Sequence, residues 1–115
     1  MNAAFDAFKV DLIIYVLRRG AMARTKFMKL LFLIDRELYR RHGATVFRWK
    51  MYKYGPFSRE VLDTLDDMEI YGSVLSRVEE DAIVYELAST APAELPREVK
   101  EVADQVLETL SLIHI

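Results

Sequence analysis

With no cysteine in the chain, thiol catalysis, disulfides and thiolate metal sites are all excluded, and any chemistry must come from charged, hydroxyl, imidazole or aromatic side chains. His42 and His114 are the two imidazoles, and neither has the partner four residues away that a helical zinc motif requires. Ser58 lacks the sequence context of a nucleophile elbow and suits the cap of a helix. Gly20, Gly43, Gly55 and Gly72 stand singly, so no glycine-rich loop cradles a phosphate. Adjacent carboxylates such as Asp66 and Asp67 splay apart on a helix instead of converging on a substrate. The expectation is a protein that is not an enzyme, with no catalytic, cofactor or metal site.

What remains is recognition by surface charge and aromatic rings. The net charge of -2 conceals two opposed halves. Residues 1–59 hold 13 Lys and Arg against 4 Asp and Glu, whereas residues 60–115 hold 3 against 14. A basic and an acidic surface can therefore coexist on one small molecule, each attracting a partner of the other sign.

The elements that must position these groups follow from periodicity. At 115 residues and 52% apolar composition the chain is expected to form a single domain over residues 1–115, with a winged-helix-like core at about 3–90 and a C-terminal helix at about 97–113. Apolar residues step by three and four over residues 3–19, through Phe5, Phe8, Leu12, Ile13, Val16 and Leu17, which predicts a helix ended by Gly20. Phe27, Leu30, Leu31, Ile34 and Leu38 predict a second helix over residues 23–42, stopped by Gly43. The aromatic and β-branched run at 46–54 reads as one strand closing in a Gly55-Pro56 turn. Ser58 then caps a third helix that carries Val61, Leu62, Leu65 and Met68 as far as Gly72. SVLSRV and AIVYEL, separated by Glu79, Glu80 and Asp81, suggest a hairpin of unknown turn type. Pro92 and Pro96 bracket a linker to the last helix. No segment approaches the roughly twenty apolar residues of a bilayer span, and no signal peptide is recognisable, so an unprocessed cytoplasmic protein is expected.

Helix, helix, strand, helix, hairpin and helix together make an α+β fold that resembles the winged-helix plan, a small helical bundle with a strand and a β-hairpin wing, plus a C-terminal helix. A narrower resemblance lies in KFMKLLF at residues 26–32 and YKYGPFS at residues 52–58. Together these are similar to the Panacea, or SocA-type, antitoxin domain, and the match covers about half of the chain. Lys26, Lys29, Leu30, Leu31 and Phe32 match that family's helix, and Tyr52, Tyr54, Gly55 and Pro56 match its turn. Phe27, Tyr52 and Phe57 depart from it, standing where leucine, tryptophan and valine are usual. The resemblance implies a non-catalytic module that binds a toxin or another protein.

Three surfaces can be named as candidates. Tyr52, Tyr54, Gly55, Pro56 and Phe57 would form an aromatic patch for a protein partner, joined by Glu60, Asp63 and Asp67 on the acidic third helix. Those acids occupy the face with which a winged helix ordinarily reads a duplex, and the wing adds three more, so standard DNA docking is disfavoured. An alternative is a DNA-binding regulator that uses Lys26, Lys29, Arg36 and Arg40, within about 80° of arc on the second helix, with Arg48 and Lys50 on the strand. Val99, Val102, Val106, Leu110 and Ile113 form one stripe on the last helix, through which two copies could pair as a homodimer.

Overall fold

The computed structural model describes residues 8–89 and 92–111. Its first helix, α1 (Lys9–Leu17), turns Leu12, Ile13 and Val16 fully inward, as their spacing requires. Phe5 and the start of the expected helix lie outside the described residues. Met22 and Ala23 form a short strand, β1, where the second helix was expected to begin. Two residues are too few for any period to register, and only pairing with a distant strand makes them extended.

The second helix, α2 (Arg24–His42), runs for 19 residues. It buries Phe27, Leu31, Ile34 and Leu38 completely and ends at Gly43, whose left-handed φ of 73° lets its N–H bond the Tyr39 carbonyl. Arg40, Arg41 and His42 occupy the last turn, where cations offset the negative end of the helix dipole.

The single strand expected over residues 46–54 is not what forms. Val46 and Phe47 are buried in irregular backbone, and the pairing comes later, between β2 (Lys50–Tyr52) and β3 (Gly55–Phe57). Lys50 faces Phe57, Met51 faces Pro56 and Tyr52 faces Gly55, so the reversal falls on Lys53 and Tyr54. Gly55-Pro56 is thus the returning arm, not the turn. A proline is tolerated there because the ribbon has only two strands and its N–H-less side needs no neighbour.

Ser58 caps α3 (Arg59–Ile70) by accepting from the Val61 amide at 3.2 Å. The wing follows as β4 (Val74–Glu79) and β5 (Ala82–Leu87). With β1 they make an antiparallel sheet in the order β1-β5-β4, with β4 at the edge. Finally α4 (Arg97–Ser111) lies against α2 and sinks Val99, Val102 and Ala103 into the shared core. The result is the α+β, winged-helix-like arrangement of helices around two small antiparallel sheets. Among the described residues no helix is long and apolar enough to cross a membrane.

The wing turn carries strain. Glu80 and Asp81 both adopt left-handed backbone, at φ 47° and 67°, as a two-residue turn matched to strand twist demands, yet neither is glycine. Changing Glu80→Asn together with Asp81→Gly should stabilise the fold by about 1 kcal/mol. Thermal denaturation should show the midpoint rising by several degrees, and an unchanged midpoint would mean that the turn stores no strain.

Candidate functional site

Asp35 lies on the inward side of α2, one turn after Leu31 and just before Leu38, and is fully buried. A carboxylate there must be hydrogen-bonded, and it accepts three times. The Val46 amide donates to Oδ1 at 2.8 Å, while the Phe47 amide and the Trp49 indole donate to Oδ2 at 2.9 and 2.8 Å. Burial pushes the Asp35 carboxyl up to about 6, even though all three donors pull it down. The Trp49 ring stands edge-on to Phe32 and Phe47, with centroids 5.5 and 6.3 Å away.

Glu60, at the start of α3, grips the same segment from outside. It accepts from the Arg48 amide at 2.6 Å and from Lys9 Nζ at 2.9 Å. Burial works to raise its carboxyl, but Lys9 and the Arg48 amide outweigh that and hold it below the usual range. Two carboxylates from two helices therefore fix residues 46–49, and that stem aims the β2–β3 ribbon.

The aimed ribbon forms one wall of a groove of about 600 Å³, and the first two turns of α2 form the other. Its apolar lining comes from Met28, Tyr52, Tyr54, Pro56 and Phe57. Tyr52 meets Phe57 edge-on at 5.6 Å, which stiffens the wall. Tyr54, 87% exposed, stands at the tip with the Lys53 ammonium 5.9 Å from its ring centre.

The charge in the lining belongs to Arg24 and Lys29, and no carboxylate among the described residues lines the groove or pairs with either. Arg24 is held instead by a neutral group: its Nε and Nη2 donate to the Tyr85 hydroxyl at 3.0 and 2.7 Å. The guanidinium is positioned without being neutralised. The first turn of α2 has no acidic residue and no side-chain cap, so the positive end of that helix is also left uncompensated.

The structure gathers some of the expected site residues and scatters others. Tyr52, Tyr54, Gly55, Pro56 and Phe57 all line the groove, and Lys29 joins them from the basic set. Glu60 is engaged within the fold, whereas Asp63 and Asp67 are exposed on α3, Asp63 pairing with Arg59 at 3.3 Å. The basic set is not one patch. Lys26 and Arg40 share a side of α2 but are separated by about 21 Å of helix rise, and Arg40 pairs with Glu37, whose carboxyl it holds below the usual range. Arg36 is exposed beside α4, and Arg48 and Lys50 are exposed on the hairpin stem and on β2.

The stripe on α4 needs a further correction. Val99 and Val102 are fully buried in this chain's own core and so cannot face a second copy. Val106 and Leu110 are half-buried against the same core, and Ile113 lies outside the described residues. Asp35, Arg24 and Met28 were not anticipated from the sequence. The available signal for Asp35 was a carboxylate set in the 31, 35, 38 stripe of an apolar helix face.

The family model for the antitoxin SocA-like Panacea domain matches residues 27–113. No curated protein matches the chain. Among solved structures, that of H. salinarum RosR, grown from NaBr, is similar over 99% of this chain and 78% of that one, at 20% identity and a TM-score of 0.38.

Proposed function

This chain belongs to the antitoxin SocA-like Panacea domain family, and from that premise we propose that it is a non-catalytic module that binds a toxin-like protein partner through the groove between α2 and the β2–β3 ribbon. The observation that carries the reading is a convergence. The two segments that resemble the family, at 26–32 and 52–58, are about twenty residues apart in sequence, yet both contribute to one groove: Met28 and Lys29 from the first stand in the helix wall beside Arg24 and Thr25, and Tyr52, Tyr54, Gly55, Pro56 and Phe57 from the second form the facing wall. Exposed tyrosines beside a partly apolar cleft have the composition of an interaction hot spot. The exposed acids Asp63, Asp66 and Asp67 on α3 and Glu80 and Asp81 on the wing turn oppose the docking of a duplex by that face.

The test is affinity capture from the native lysate with the tagged full chain. Wild type should retain a protein in stoichiometric amount, and the double variant Tyr52→Ala, Tyr54→Ala should lose it by about tenfold or more. Both side chains are exposed, so circular dichroism should show the variant folded. Recovery of a specific DNA with no protein would overturn the proposal.

A further inference from the structure

Resting on the reading that the groove takes a protein partner, we infer the chemistry of the segment that enters it: an acidic stretch of polypeptide with an aliphatic or aromatic anchor. The anchor is required by the lining, where half-buried Pro56 and Phe57 join exposed Tyr52 and Tyr54 in presenting apolar surface over the buried Met28. The acid is required by the charges. Arg24 and Lys29 border that surface with no carboxylate beside them among the described residues, and Arg24 is fixed by a phenol that leaves its charge intact. A carboxylate placed there meets a positioned guanidinium that pays little further ordering entropy.

A polypeptide fits better than a nucleic acid. Two cations in a groove of about 600 Å³ can match one or two carboxylates, whereas a duplex brings a charge every 1.7 Å or so of its axis. A basic peptide is rejected by like charge at the rim.

Selection of a phage-displayed library of random peptides on the full chain tests this directly. The recovered peptides should pair Asp or Glu with Leu, Ile, Phe, Tyr or Trp. Fluorescence anisotropy with the best of them, synthesised and labelled, should show affinity falling about tenfold in Lys29→Glu and about tenfold in Tyr54→Ala. Both side chains are exposed, so folding is not at issue. Replacing the peptide's acids with lysine should abolish binding to wild type and restore it to Lys29→Glu. Neutral or basic consensus peptides, no recovered peptide, indifference to Lys29→Glu, or displacement of the peptide by a labelled oligo-dT strand would each overturn the inference. Failure here is separable from failure of the broader reading: a captured protein that depends on Tyr52 and Tyr54 but not on Lys29 leaves the partner and removes only its acidic character.

Discussion

Replacing Asp35 by alanine should destabilise the fold by about 3 kcal/mol at neutral pH, the largest effect expected from any polar side chain here. Two amides and an indole donate to that one carboxylate, and the two buried amides lose their acceptor where water cannot replace it. Each hydrogen bond to a charged group is worth about 1.5–3 kcal/mol, and relief from burying the charge offsets part of the sum. Asp35→Asn should cost less, since the amide oxygen still serves one side of the clamp while its NH₂ opposes the other. Urea unfolding of the three proteins would measure the order. Asp35→Ala as stable as wild type would show that residues 46–49 hold their shape without the carboxylate. A second readout is Trp49 fluorescence, because the ring loses its indole partner and its setting between Phe32 and Phe47.

The same group should give the protein an acid-side gain in stability. Its carboxyl lies at about 6 in the folded chain against an ordinary 3.8, so the native state binds the proton more tightly than the unfolded chain does. The contribution is fully present below about 3.8 and is lost as pH rises through about 6. Two pH units correspond to something on the order of 3 kcal/mol. Glu60 acts in the opposite sense: its carboxyl is held low, so its contribution is present above its ordinary range and fades as pH falls through the depressed value. The wild-type profile sums both, and the difference between wild type and Asp35→Asn isolates the first. Unfolding free energies measured from pH 4 to pH 8 should show that difference shrinking as pH rises. Parallel profiles would remove Asp35 from the account.

Where the sequence was readable, it was readable for local reasons. Phe27, Leu31, Ile34 and Leu38 repeat with the helical period and are buried on α2; Ser58 sits one residue before a helix and caps it; Gly43 takes the left-handed turn that ends one. The acidic exterior of α3 was equally local, since Asp63, Asp66 and Asp67 lie opposite Val61, Leu65 and Met68. What escaped depended on distant partners. Met22 and Ala23 become a strand only because Tyr85 and Val84 lie beside them. The run from Val46 to Tyr54 has strand composition, but Asp35 and Glu60 draw its first half into buried coil and leave the ribbon to its second. On α4 the stripe told which side would be covered and not by what, and the cover is this chain's own core instead of a second copy. Half of the groove was visible as the aromatic segment at 52–57; its other wall needed the fold.

The position of β4 at the margin of its sheet bears on how the molecule behaves when crowded. Among the described residues its backbone has a ladder partner on one flank alone, and Leu75 and Val78 add exposed apolar surface along it, 52% and 73% accessible. Such a rim is a template on which another strand can grow into a fibril. Arg77 sits between those two residues and is tied to Glu79 and Glu86, interrupting the run with charge. A charge in that position is the feature expected to discourage edge-to-edge stacking, so Arg77→Val should raise the rate of fibril growth followed by thioflavin fluorescence, and an unchanged rate would show that the edge is protected by other means.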